Sequence, residues 1–542
     1  MNCNINNNLN YTLMNKLKSS IIIIFCMMTN ALTAYDFSAR NDDGVLIYYN
    51  ILSETEKTVE ITTRGDANYE GSVSIPRNVK NKGFTYIVTS IGDEAFFSCS
   101  RLNSVEIPNS VTSIGNRAFS RCSKLTSIEI PNSVTSIGYG AFYECSSLTS
   151  IEIPNSVTSI LEYTFEGCSG LKSIEIPNSV TRIGYKAFYG CSGLTSIEIP
   201  DPVTSIGESS FSGCSNIESV KIGNSITTIE KESFNGCIRL ASVEIPNSVT
   251  SIGEKAFSGC SSIESVKMGY SITTIEKDAF NGCKRLTSVE IPNSVTSIGE
   301  KAFSGCSSIE SVKMGNSITT IEKDAFKGCT GLKRVVVPDL AAWCGIIFAN
   351  SFSNPLSFAG RLFDDKNEEI IDLKIPDSVI DIQFASFYGC ASIKSVVIPN
   401  SVVNIHKSAF EYCSGLIDIV IPNSVTQLGD FVFYKCTGLI DMDIPNSVTT
   451  IGKSAFEGCS GLTSIDIPNS ITSIGEKAFS GCTRLLEVTI NTPTINSWFS
   501  GLPYIKTIKI GKSVTSIGDN AFSGCSGLTN IEIPNSVTNI GG

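Results

Sequence analysis

A single histidine, His406, serves the whole 542-residue chain, and tryptophan occurs twice, at Trp343 and Trp498. His406 replaces the glycine of the repeated "S-I-G" in one ordinary unit, and no nucleophile–histidine–acid set is visible around it. Positive charge is also scarce. Lys and Arg number 41 against 52 Asp and Glu, giving a net charge of −11. That deficit argues against a nucleic-acid footprint, which needs a basic face. No Cys-x-x-Cys pair occurs among the 20 cysteines, and no phosphate-loop or dinucleotide glycine pattern is present. These absences point away from enzyme chemistry, cofactors and small-molecule substrates.

Long apolar runs are missing as well, with one exception near the start. Lys16 and Lys18 precede "SSIIIIFCMMTNALTA", an apolar core that ends in small residues. Charge, apolar stretch and small-residue end make a secretory signal peptide over residues 1–34. The run is too short for a transmembrane span, which needs about 20 residues. Met14 is an alternative start, because "MNKLKSS" is a more usual opening than the Asn-rich residues before it. Cys26 invites lipid attachment, but Phe25 is bulky where a small residue is expected.

What the chain has in abundance is itself. The 27 residues "VEIPNSVTSIGEKAFSGCSSIESVKMG" occur at Val243–Gly269 and, unchanged, at Val289–Gly315. Cysteine recurs every 23 residues from Cys99 to Cys329, again from Cys390 to Cys482, and last at Cys525. The unit reads roughly L-T-S-I-E-I-P-N-S-V-T-S-I-G-x-x-A-F-x-G-C-S-x. A catalytic site needs no copy of itself, whereas a structure made by stacking one unit on the next does. Two coils break the count, at residues 339–375 and 480–502, and each holds one of the tryptophans. The chain stops at "VTNIGG", at the start of the "I-G-x-x-A-F" part of another unit; an open solenoid end of that kind needs a polar cap, so the array is expected to continue or to be covered.

Within the unit, "LTSIEIP" alternates. Leu125, Ile128 and Ile130 point one way, Ser127 and Glu129 the other, which predicts a short half-buried strand ended by Pro131. In "VTSIGEKAFSGCSS" the spacing of Ile252, Ala256, Phe257 and Cys260 predicts a single helical turn, closed by Gly259 in left-handed geometry. Phe119, Cys122, Phe257 and Cys260 are expected in the core. Residues 35–86 do not repeat and read as a small β cap, leaving 87–542 as the solenoid.

The pattern L-x-x-I-x-I-P-x-x-V-x-x-I-x-x-x-A-F-x-x-C, running from about Ile87 to Ile540, resembles the leucine-rich repeat of the BspA-like surface proteins. The resemblance implies a repeat solenoid of the α/β leucine-rich type with 23-residue units and a parallel β-sheet on its concave face. It also implies a secreted or cell-surface protein that contacts host matrix, host cells or other microbes. A structural spacer or stalk without a ligand is the alternative.

The repeat cysteines read as buried free thiols. Stacked rungs hold their Cβ vectors parallel, and aligning Phe499 with the repeat phenylalanine puts Leu502 at the cysteine position. A site that accepts leucine is an apolar one. Two sets of residues stand out as candidate partner contacts. One is the polar centre of the strands, where Glu106, Glu129, Glu152, Glu175 and Glu198 precede an alternation of lysine and glutamate. The other is the aromatic content of the irregular coils: Trp343, Phe348, Phe352, Phe358 and Trp498. Gap-filling by those aromatics in coils of odd length is the plainer reading of the second set.

Overall fold

The computed structural model describes residues 35–63 and 69–542; the expected signal peptide lies outside them. The chain is a solenoid of about 20 turns at roughly 23-residue spacing, with parallel strands and little helix. Each coil has three sides. The first is a three-residue strand such as Ser288–Glu290, which pairs in parallel and in register with Ser311–Lys313 of the following coil. The proline after it accepts a hydrogen bond from the valine three residues on, as in Val295 N–H to Pro292 O at 3.1 Å, and the chain turns. A two-residue strand follows, such as Ser251–Ile252, which pairs with Thr274–Ile275. Two ladders of parallel strands therefore run along the molecule, each interrupted in places, a long one from the S-I-E segment and a short one from the second S-I.

The third side departs from the expected helical turn. Residues Gly253–Cys260 form successive tight turns. Their N–H groups divide between two sets of acceptors. Ala256 and Cys260 donate within the coil, to Gly253 and Phe257, while Lys255, Phe257 and Gly259 donate to Lys277, Ala279 and Asn281 of the next coil. A helix would have sent all of them four residues back along the chain. The backbone of Lys255 also has φ 56°, which a right-handed helix excludes, as does Gly259 at 73°. Gly259 was expected there, but Lys255 was not. The same left-handed position is filled by Lys186, Glu232, Asp278 and Lys301 in other coils, with a glycine at Gly140.

Side chains that look merely turn-forming in the sequence stitch the coils together. The Thr250 hydroxyl donates to Thr227 O at 3.1 Å, and the Ser294 hydroxyl to Ile272 O at 2.6 Å. Inside, the repeat phenylalanines form stacked columns; Phe257 lies 5.4 Å from Phe234 and from Phe280, with rings within 5° of parallel. Phe119, Cys122, Phe257 and Cys260 are all fully buried. No disulfide links the described cysteines. Most repeat thiols donate to a phenylalanine carbonyl of the previous coil, as Cys260 does to Phe234 at 3.1 Å. Burial pushes the Cys168 and Cys214 thiols up to about 12. Phe499 stacks on Phe479 at 5.4 Å, and Leu502 occupies the cysteine site.

The non-repeating start runs directly into both ladders. Phe37–Arg40, Leu46–Ser53 and Thr58–Thr62 form an antiparallel set. Thr58–Thr62 then pairs in parallel with Phe84–Ile91, and that strand with Ser113–Ile114 of the short ladder. On the other side, Glu70–Ser74 pairs in parallel with Arg101–Glu106, the first rung of the long ladder.

Candidate interaction face

The outward side of the long ladder is the widest regular exposed surface, because alternation sends every second strand residue into solvent. Its character changes along the axis. At the N-terminal end Glu106 and Glu129 are register partners. Glu129, Glu152 and Glu175 are exposed and have no cationic partner among the described residues. Like charges on adjacent rungs repel by up to about 1 kcal/mol in a water-like dielectric. Glu198 begins a different regime. It pairs with Lys221 of the next rung, Glu244 pairs with Lys267 at 2.5 Å, and Glu290 pairs with Lys313. A second file of pairs runs beside the first, Arg239–Glu218 at 2.6 Å and Arg285–Glu264 at 2.5 Å. All are exposed, so each contributes about 0–1 kcal/mol. Their consequence is electrical: the middle of the face is neutralised while the N-terminal end stays acidic.

The aromatic candidates do not join this face. Trp343 is 1% exposed and sits in a short helix, Leu340–Cys344, whose first turn is capped by the Asp339 carboxylate. Its indole N–H donates to Ser386 O at 3.0 Å, and its ring meets Phe348, itself buried, edge-on at 5.4 Å. Neither can touch a partner in this fold. The odd coil length leaves a gap between the phenylalanine columns that end at Phe326 and resume at Phe387, and these two rings fill it. Phe352 is exposed and pairs with half-buried Phe358 at 6.0 Å, but on the turn side, where Phe352 O accepts from Phe326 N–H. Trp498 lies in a turn of 3-10 helix, partly buried against the core.

The irregular coil nonetheless keeps both ladders. Ile347–Phe348 pairs with Thr320–Ile321, and Leu362–Phe363 with Val335–Val336. Beyond it the outward strand positions turn apolar. Ile371, Val397, Ile417, Val420 and Ile440 are all exposed. The sequence carried a signal for these residues in "IDLKIP", "KSVVIP", "IDIVIP" and "IDMDIP". There Ile or Val replaces the Thr or Glu of the repeat, and those replacements were not singled out.

No converging set of reactive groups accompanies the face. His406 Nε2 is 3.8 Å from Asp381 Oδ1, and no cluster of three His, Cys, Asp or Glu side chains able to hold a metal occurs among the described residues. No described helix is long and apolar enough to cross a membrane.

Comparison with known proteins agrees with this architecture. No curated protein matches the chain. Among solved structures, a leucine-rich repeat protein of Bacteroides ovatus is 28% identical, covering 84% of this chain and 94% of its own, with a TM-score of 0.44. A leucine-rich cell surface protein of Faecalibacterium prausnitzii is 24% identical over 94% of this chain and 95% of its own, with a TM-score of 0.26. The model of the BspA-type leucine-rich repeat region, in six copies, matches residues 76–192, 135–263, 227–355, 360–486 and 495–542. The chain belongs to the BspA-type leucine-rich repeat family.

Proposed function

We propose that this is a secreted or cell-surface adhesion protein whose long-ladder face binds extracellular proteins or cell surfaces. One contrast carries the reading. The inward residues of the long strands hardly vary from rung to rung, as in Val105, Ile128, Ile151 and Ile197, all buried. The outward residues change from glutamate to paired lysine and glutamate, then to valine and aspartate. Core packing demands only the first set, so a spacer has no use for the second. Broad ladder faces are the usual contact surfaces of solenoids. The signal-peptide pattern before Tyr35 supports export, and host matrix, host cells or neighbouring microbes are the proposed partners. A screen of the folded full chain against purified matrix proteins and whole cells tests this. Saturable binding to at least one is expected; a folded chain that binds none is a spacer or stalk.

A further inference from the structure

In regular coils the outward strand positions are polar, as in Thr287, Ser288 and Glu290. Across the rungs from Ile371 to Asp443 five of them are apolar instead. Ile371, Ile417 and Ile440 stand in the threonine column and Val397 and Val420 in the glutamate column, each between 44 and 52% exposed. Each column stacks on itself: Lys374, Val397 and Val420 are successive ladder partners, about 4.8 Å apart, and in the other column Ile417 N–H donates to Lys394 O and Ile440 N–H to Ile417 O. Single exposed aliphatic residues need no explanation, but five together on one face of a polar repeat mark a contact surface.

The charges among them have a definite sign. Asp418, Asp441, Asp443 and Asp466 are exposed and have no cationic partner among the described residues. The middle of the same ladder, by contrast, answers each glutamate with a lysine. Lys374 and Lys394 lie on this stretch and offset only part of the negative charge.

The molecule also holds one such residue that is not exposed. Val336 occupies the glutamate column, yet it is 5% exposed. Its register partner is Phe363, where the chain folds back through a bridge to Glu369. The guanidinium groups of Arg334 and Arg361 lie 4.4 and 5.3 Å from the Phe363 ring. Here the ladder neighbour of a buried valine in the glutamate column is an aromatic residue that itself carries two cations over its ring. Further along the ladder, Val397 and Val420 stay exposed, with no described element over them.

We propose that the rungs from Ile371 to Asp443 are a docking surface for a partner protein segment that carries apolar side chains flanked by lysine or arginine. This rests on the reading that the long-ladder face is the contact surface, and narrows it to one stretch and one partner chemistry. The apolar side chains of the segment cover the five aliphatics, and its cations meet the unpaired aspartates.

The probe is a short synthetic peptide alternating lysine with leucine, titrated into the full chain beside a counterpart with glutamate for lysine. The lysine peptide binds and the glutamate peptide does not. A combined Ile417→Thr, Val420→Thr and Ile440→Thr variant, with circular dichroism unchanged because regular coils already carry threonine at 417 and 440 and a polar residue at 420, binds about tenfold more weakly. Asp418→Asn, Asp441→Asn and Asp443→Asn together flatten the salt dependence of binding. Equal affinity for both peptides, or an unchanged affinity in the threonine variant, overturns the proposal. Adhesion to cells or matrix separates the two readings. A threonine variant that adheres at full strength removes the docking site and leaves adhesion standing. A parent chain that adheres to nothing removes adhesion, and the titration still decides the docking site.

Discussion

At the scale of single residues the cysteine column sets the chemistry of the interior. A typical repeat thiol fills a small apolar space and gives its hydrogen to a phenylalanine carbonyl one coil back, as Cys260 does to Phe234. Cys260→Ala removes both contributions and is expected to cost about 1–2 kcal/mol. Phe257→Ala leaves a larger void between two stacked rings and is expected to cost about 3–5 kcal/mol. Both are read from the shift in denaturant midpoint. Reactivity follows from burial. A thiol pushed up to about 12, as at Cys168, is about one part in ten thousand thiolate at pH 8, and the thiolate is the form that reacts. Alkylation at pH 8 is therefore expected to be slow at the repeat cysteines until denaturant is added, when they label together; recovery of them as rung-to-rung disulfides would contradict the account. The left-handed residues make an opposite prediction. Lys477 is exposed, has φ 60° and has no ion-pair partner among the described residues, so Lys477→Gly is expected to raise stability by about 0.5–1 kcal/mol.

The coil is the element of this fold, and it cannot close its core alone. Removing Val249–Ser294 joins Ser248 to Val295, restores the local sequence and leaves each coil with a neighbour of the same kind. The shortened chain is expected to fold, with the circular dichroism of the parent and a similar midpoint, whereas a deletion out of phase with 23 residues is expected to aggregate. The strand was legible because period-two alternation in "LTSIEIP" has one meaning beside a proline. The third side was not, because its spacing of four, one and three suits a helix equally well. What excludes the helix is a hydrogen bond made to the next coil, as from Phe257 N–H to Ala279 O, and no window of one unit contains that partner. Trp343 left two readings open for a related reason. Trp343 is a rare aromatic at a break in the repeat, which fits a contact residue and a gap-filler alike, and only its burial beside Ser386 and Phe348 separates the two. The glutamate column was readable because it recurs, while the Ile and Val replacements from Ile371 onward passed as ordinary strand residues.

Over the whole molecule, stacking fixes which side of every coil is uniform and which is free to vary, and the account places recognition on the outward side of the long ladder. That claim has a direct test, because the described native thiols are buried and an added one is not. Asp418→Cys places a thiol on the long-ladder face, and Lys407→Cys places one on the turn side of a neighbouring coil; both positions are exposed. Each variant of the chain from Tyr35 onward is labelled with a bulky maleimide at neutral pH, and its adhesion to cells is compared with that of the unlabelled protein. The account predicts that a label at position 418 abolishes adhesion and a label at 407 leaves it intact. Adhesion blocked from the turn side and untouched by the label on the ladder face would contradict it.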